Sequence, residues 1–235
     1  MKIFITGGSS GIGAAIVDLL SKDGHEVTFT YFKNKNSHSD LKNCKGLFFD
    51  LNSEDSLKEI TEHIKTSEYD ALVNNLCTVP AREKFLKMQP SDFMDYILIN
   101  LKSALLLSQV FSESLKKRSN SGSIVNILSS VTLGMPPAEM SSYITLKYAL
   151  LGFTKSLAAE LSRNDIRVNA VSPSMTKTDF ISEIDERAIE MIENSLPMKR
   201  LAKPDEVSGI VKFLLSPEAS YINGANIPVT GGSIC

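Results

Sequence analysis

The chain has 235 residues, 43% of them hydrophobic and 22% charged, with a formal net charge of −2. That length suits one α/β domain around a single core. The near-neutral balance excludes a global basic field for nucleic acid or an anionic membrane, and no apolar run is long enough to span a bilayer.

Short apolar runs alternate with stretches of helical period. Ile3–Thr6 reads as a buried strand. Gly13–Lys22 reads as a helix turning Ile16, Val17, Leu19 and Leu20 toward the core. Val27–Tyr31 is predicted as a second strand and Leu47–Asp50 as a third, followed by a helix through Leu57, Ile60 and Ile64. Ala71–Asn74 makes a fourth strand. A long helix is predicted from Phe93 to Lys117, broken or bent near Asn100, with Leu98, Leu101, Leu105 and Leu106 on a face buried either in the core or between subunits. Ser123–Ser129 is a fifth strand, Ser141–Leu161 a long helix and Arg167–Ser172 a sixth strand. Glu183–Asn194 and Pro204–Leu215 read as helices, and Ile227–Val229 as a last strand.

This alternation implies a parallel sheet of about seven strands with helices on both faces. Ligands of such sheets bind beyond the carboxyl ends of the strands, at the switch point. The loops after Ile5, Tyr31, Asp50, Asn74, Ser129 and Ser172 are therefore expected to line the site. No repeat or linker divides the chain, so residues 1–235 are expected to form one domain.

Cys44, Cys77 and Cys235 match no metal-ligand spacing, so no metal site is expected. Their odd number argues against a disulfide framework and for a reducing, cytoplasmic setting. Gly7–Gly13 interrupts the opening apolar run too early for a signal peptide. Lys116-Lys117-Arg118 reads as a solvated helix end.

Two motifs carry chemistry. Thr6-Gly7-Gly8-Ser9-Ser10-Gly11-Ile12-Gly13 follows a strand and opens a helix, the context a dinucleotide loop requires. Gly7 permits a tight turn; Gly11 and Gly13 let backbone approach a pyrophosphate and helix approach strand. The helix N-terminus then faces the negative charge. Gly7, Ser9, Ser10, Gly11, Ile12 and Gly13 are the cofactor-binding candidates of this loop. The second motif is Tyr143 and Lys147, one helical turn apart on one face, with Ser130 upstream. Hydride transfer to a carbonyl leaves an alkoxide that needs a proton. A free tyrosine, near pKa 10, exchanges protons poorly at neutral pH, and a neighbouring ammonium favours its anion. Ser130 can hydrogen-bond the substrate oxygen; Ser129 is the alternative.

These motifs, with Asn74-Asn75, Pro173 and the closing Thr230-Gly231-Gly232 in the same order, resemble the short-chain dehydrogenase/reductase family along essentially the whole chain. The resemblance implies a single Rossmann-type, doubly wound sheet and a catalytic set of Asn100, Ser130, Tyr143 and Lys147. Asn100 would hold a water of the proton relay, and Lys147 would also bind the nicotinamide ribose. It further implies that Asp50 reads the adenine amine, that Leu51 contributes backbone and that Asn74 lies beside the adenosine ribose. Pro173 would start the loop over the nicotinamide, and Thr176 and Thr178 would make the carboxamide and phosphate contacts that follow it. The chain departs from the pattern at Leu76-Cys77, where the family has Ala-Gly, and at Ser174, where it has Gly.

No acid stands at Tyr31 to bond a ribose 2′-hydroxyl, while Lys33 or Lys35 can meet a 2′-phosphate. NADP(H) is therefore expected ahead of NAD(H). The chain is most similar to 3-ketoacyl-carrier-protein reductases, which implies a 3-ketoacyl thioester, free or carrier-bound. Ser121 and Asn164 stand where that branch docks its carrier with arginines, although Arg118 and Arg163 are close. A substrate lid is expected at residues 179–200, and the family's assembly as a homodimer or homotetramer. The competing readings are an NAD(H)-dependent alcohol or sugar dehydrogenase, and a catalytically silent nucleotide-binding protein.

Overall fold

The computed structural model describes residues 1–34, 38, 40–79, 82–178, 181 and 184–234. Seven parallel strands form one sheet in the order β3-β2-β1-β4-β5-β6-β7. They are β1 (Lys2–Ile5), β2 (Glu26–Tyr31), β3 (Cys44–Phe48), β4 (Ala71–Asn74), β5 (Gly122–Ile127), β6 (Ile166–Pro173) and β7 (Asn226–Val229). The helices are α1 (Gly11–Lys22), α2 (Glu54–Thr66), α3 (Pro90–Arg118), α4 (Ser141–Leu161), α5 (Glu186–Ser195) and α6 (Pro204–Leu215).

The sheet is apolar on both faces because both are covered. On one face Ile3, Ile5, Val27, Phe29, Val73 and Val125 meet Ile16, Val17 and Leu20 of α1 and Val207, Val211 and Leu214 of α6. On the other, Phe4, Leu72, Ile124 and Val168 meet α2 and α3 through Ile60, Ile64, Leu107, Phe111 and Leu115. Chain order reverses between β1 and β4, so their carboxyl ends diverge there and open the crevice that ligands use.

A polar seam crosses the second core. The Asn74 amide donates to Ser108 Oγ of α3 at 3.1 Å and to Asn126 Oδ1 of β5 at 2.8 Å. Asn126 in turn donates to Thr154 Oγ1 of α4 at 2.9 Å, and Thr154 to the Leu150 carbonyl. Buried amides of this kind are costly unless paired. The seam therefore fixes α3 and α4 against the central strands in one register.

Several expectations need correction. The third strand is Cys44–Phe48, not Leu47–Asp50. It is an edge strand with mostly exposed side chains, so its apolar run does not mark its position. Helix α3 is uninterrupted at Asn100, because that amide donates back to the Tyr96 carbonyl within the helix at 2.8 Å. Leu98 and Leu105 are 61% and 42% exposed, so they do not belong to the core face of α3. Leu19 is only half-buried, and Ala15 takes its place inside α1. Asp179 and Glu183, expected to open the lid and its helix, lie outside the described residues; α5 begins at Glu186.

Phe111 is nearly inaccessible and packs α3 on the sheet. Phe111→Ala should destabilise the fold by about 3–5 kcal/mol, seen as a lowered urea midpoint. An unchanged midpoint would contradict this packing.

Candidate active site

The loop after β1 is built by close approach. Gly7 and Gly11 have φ of 66° and 55°, the left-handed region that side chains resist. A Cβ on Gly13 would lie 2.0 Å from the Gly7 carbonyl oxygen, so α1 can start this near β1 only with glycine there. Thr30 of β2 accepts the Gly7 N–H through Oγ1 at 2.8 Å and the Gly8 N–H through its carbonyl at 2.9 Å. Ser10 caps α1 by backbone geometry alone, without a side-chain hydrogen bond, and the first turn holds no acid. The helix N-terminus thus keeps its partial positive charge and its N–H groups for an anion. Thr178 packs its side chain over Gly11, where its methyl would lie 3.2 Å from an added Cβ.

Of the two asparagines after β4, the structure turns Asn75 toward this loop. Its amide donates to the carbonyls of Thr6 (3.1 Å) and Gly7 (2.9 Å). Thr6 Oγ1 accepts the N–H groups of Asn75 and Leu76, each at 3.0 Å. Asn74, expected beside the ribose, instead points its side chain into the polar seam, and its buried Oδ1 has no partner among the described residues. Strand alternation separates the two: adjacent residues face opposite sides. Neither Asn75 nor Thr6 was among the expected site residues, although both lie in the quoted motifs.

Asp50 lies just beyond β3, half-buried, with Oδ1 taking the Asn52 N–H at 2.9 Å. Leu51 beside it packs its side chain on the second core. Ser53, two residues on, caps α2 by accepting from Ser56. Lys33 is exposed after β2, and Lys35 lies outside the described residues. Tyr31, Phe32 and Phe48 cluster at this end, with ring centroids 6.1 Å (Tyr31–Phe48) and 5.9 Å (Phe32–Phe48) apart. Pro173 closes β6; Thr176 donates to the Ser174 carbonyl and Thr178 to the Thr176 carbonyl. Ser174 has no positive φ, so the residue replacing glycine sits there without backbone strain.

The Tyr143–Lys147 pair lies in the first two turns of α4. Lys147 is 3% exposed, and its Nζ stands 5.5 Å from the centre of the Tyr143 ring. Its hydrogen bond among the described residues goes to the Ile127 carbonyl at the end of β5, at 2.9 Å. An ammonium has three donors, and burying it with one acceptor is costly. The remaining donors suit ribose hydroxyls and a phenolate. Ser130 opens a 3-10 turn (Ser130–Thr132) after β5 that packs against α4. Ser129 spends its hydroxyl capping that turn, accepting from the Val131 N–H at 3.4 Å. The Ser130 hydroxyl has no partner among the described residues and is half-buried.

Asn100 is buried and clamped by Thr78: Oδ1 accepts the Thr78 N–H at 3.0 Å and Nδ2 donates to Thr78 Oγ1 at 2.9 Å. Tyr96, one turn earlier, donates its hydroxyl to the Thr78 carbonyl at 2.9 Å and touches Cys77 Sγ at 3.5 Å. Burial, with Cys77 and Tyr143 close by, pushes the Tyr96 phenol well above the ordinary tyrosine range. It therefore stays protonated and serves as a donor. Thr78 and Tyr96 were not foreseen, because neither residue type stands out until the fold brings β4 against α3.

Among the described residues no group of three or more His, Cys, Asp or Glu side chains could hold a metal, and no helix is long and apolar enough to cross a membrane. A cavity of about 330 Å³ lies at the opposite, amino end of the strands, lined by Lys2, Glu26, Asp70 and Arg118, away from these residues.

A dinucleotide cradle and a buried Tyr–Lys pair at the same end of a doubly wound sheet define the class of NAD(P)-dependent oxidoreductases that act on CH–OH and C=O groups. Residues 7–233 match a family model described as enoyl-(acyl carrier protein) reductase. The chain is 33% identical to the 3-oxoacyl-(acyl-carrier-protein) reductase of Thermotoga maritima over 98% of its length and 96% of that protein. Its fold matches a protein from Beutenbergia cavernae described as an NAD(P)-dependent gluconate 5-dehydrogenase, with NADP at low occupancy (TM-score 0.91, 27% identity, covering 98% and 95% of the two chains). It also matches the 3-ketoacyl-(acyl-carrier-protein) reductase of Brucella melitensis in complex with NADH (TM-score 0.86, 26% identity, 98% and 97%). The chain belongs to the short-chain dehydrogenase/reductase family.

Gly13→Ala should abolish binding of both NADPH and NADH in calorimetric titration and lower the melting temperature by several degrees. Gly209→Ala, on an open stretch of α6 with nothing within 4 Å, should leave binding intact and stabilise by up to about 1 kcal/mol. Equal behaviour of the two variants would contradict the close approach at Gly13.

Proposed function

We propose that this enzyme reduces a ketone with NADPH, and that its leading substrate class is a 3-ketoacyl thioester, free or carrier-bound. The observation that carries the reading is the buried Lys147 ammonium, one turn from Tyr143, with donors to spare. Bound nicotinamide supplies the hydride. Tyr143 gives its hydroxyl proton to the oxygen that becomes the alcohol. Lys147 favours the resulting tyrosinate by its charge. Ser130, whose hydroxyl no neighbour claims, hydrogen-bonds the same substrate oxygen and orients it. Thr78 and Tyr96 keep the Asn100 amide fixed, and the backbone around Asn100 holds the water that returns a proton to the pair.

The loop of Gly7, Ser9, Ser10, Gly11, Ile12 and Gly13 would hold the pyrophosphate of the dinucleotide; Asp50, Leu51 and Asn75 would bind its adenosine end, and Thr176 and Thr178 its carboxamide and phosphates. The preference for NADP(H) rests on Tyr31 ending β2 without an acid and on the exposed ammonium of Lys33. A thioester rather than a sugar is favoured by the similarity to 3-oxoacyl reductases; a neighbour of the same fold described as a gluconate 5-dehydrogenase supports the second reading, oxidation of a sugar or alcohol, and the NADH bound to the Brucella melitensis neighbour supports NAD(H) as the alternative cofactor. Met94, Leu98 and Leu105 expose an apolar stripe on α3, which fits assembly of the chain as a homodimer or homotetramer. Helix α5, with the exposed Met191 and Met198, is the described part of the proposed lid.

Tyr143→Phe should abolish NADPH oxidation with 3-ketoacyl thioesters while dinucleotide affinity stays within a few-fold; retained turnover would remove the proposed acid. Lys33→Ala should lower the NADPH-to-NADH affinity ratio about tenfold or more. An unchanged ratio in parallel titrations would assign the preference elsewhere.

A further inference from the structure

Among the described residues, the connection from β2 to β3 (residues 32–43) contains no helix. One of its side chains joins α1 in covering Phe29. His38 reaches back from that connection and stands edge-on to the Phe29 ring, with centroids 5.0 Å apart and planes at 83°. Its side chain is 6% exposed. Nδ1 is 2.7 Å from Asp18 Oδ1 on α1, and Nε2 is 2.9 Å from the Gly8 carbonyl oxygen in the glycine loop. The backbone of His38 is left-handed, at φ 65°, a conformation that persists when surrounding contacts hold it.

Both ring nitrogens face oxygens that accept. A carbonyl oxygen cannot donate, and neither can a carboxylate. A neutral ring beside an ionised Asp18 has one N–H for two acceptors. The two contacts close together only when the His38–Asp18 pair holds one more proton, as imidazolium and carboxylate or as imidazole and carboxylic acid. The carboxylate in contact with the ring among the described residues is Asp18; Cys44 on β3 senses the same carboxylate, and burial raises its thiol.

The consequence falls on the glycine loop. The Gly8–Ser9 peptide is planar, so its carbonyl and the Ser9 N–H point in opposite directions. The Gly8 N–H is held by Thr30 and the Gly8 carbonyl by His38. Ser9 N–H, which has no acceptor among the described residues, is thereby aimed away from His38. We propose that His38 is a positioning residue: with Asp18 it forms a proton-linked clasp that sets the Gly8–Ser9 peptide for the dinucleotide, so that dinucleotide binding takes up a proton. This rests on the reading of residues 7–13 as the dinucleotide loop. Linkage makes the effect reciprocal: if the protonated clasp favours the ligand, the ligand favours protonation.

The test is NADP+ affinity by calorimetry at pH 6, 7 and 8.5 for the whole wild-type chain, His38→Gln and Asp18→Asn. The nucleotide's own phosphate titrates alike in all three. Wild-type affinity is expected to fall about tenfold between pH 6 and 8.5, the worth of about one hydrogen bond. His38→Gln should bind more weakly at pH 6 and lose that slope. Asp18→Asn is the sharper variant, because its amide can donate to a neutral ring and leave Nε2–H for Gly8. It should keep the low-pH affinity at every pH, a result that a merely structural role would not produce. Wild-type slope retained in either variant overturns the clasp. Nitrogen-15 NMR of the wild-type ring at pH 6, without nucleotide, should show a hydrogen-bonded ring whose signals Asp18→Asn alters; a ring indifferent to that change overturns it independently. Failure of the wild type to bind any dinucleotide at pH 6, with the ring clasped, overturns the cofactor reading instead.

Discussion

The carboxyl ends of β1 and β4 are tied together by two polar side chains, and the nucleotide end of the enzyme depends on that tie. Thr6 donates to the Val73 carbonyl and accepts two N–H groups from the start of the next loop. Asn75 answers by donating to the carbonyls of Thr6 and Gly7. At a switch point the two strands diverge, so backbone groups there lose their sheet partners and need others. These side chains satisfy them and hold the glycine loop against β4. Helix α1 can then start within contact of Gly7, which only a residue without Cβ allows.

The same logic runs through the proposed catalytic end. The loop after β4 continues through Cys77 to Thr78, whose N–H, hydroxyl and carbonyl all engage α3. The polar seam one layer below fixes α3 and α4 on the same strands. Asn100 and the Tyr143–Lys147 pair therefore take their positions from β4 and β5 rather than from each other. Cys77, standing where the family resemblance implies glycine, is accommodated with Tyr96 and Thr78 against its sulfur.

Much of this was legible in the chain. Strands β1, β4, β5 and β6 are buried on both faces, and a short unbroken apolar run is what such burial selects. The glycine spacing and the Tyr-x3-Lys step are local, so sequence alone places them on a helix start and a helix face. What sequence could not show are contacts whose partners lie far apart. Residue 38 meets residues 8, 18 and 29 only because the connection folds back, and His38 looks like any loop histidine until it does. The choice between Asn74 and Asn75 depended on which face of β4 meets the loop. Edge strand β3 was misplaced because exposure leaves its composition free. Leu98 and Leu105 follow a core-like period on α3 yet lie outside, because no described residue covers that side of the helix.

The short β2–β3 connection leaves the molecule mechanically uneven. Among the described residues β3 pairs with β2 alone, and the ring of His38 packs edge-on against Phe29 beside α1. Protection against amide exchange follows buried contacts and neighbouring strands, so the β3 amides belong to the first cooperative unit to open, while β4 and β5 report global unfolding. Asp50 and Leu51 hang from the end of that loose unit. The proposed adenosine end of the cleft is thus its soft end, and the Tyr143–Lys147 end, held by the seam, its hard one. A dinucleotide bridging the two would stiffen the first far more than the second.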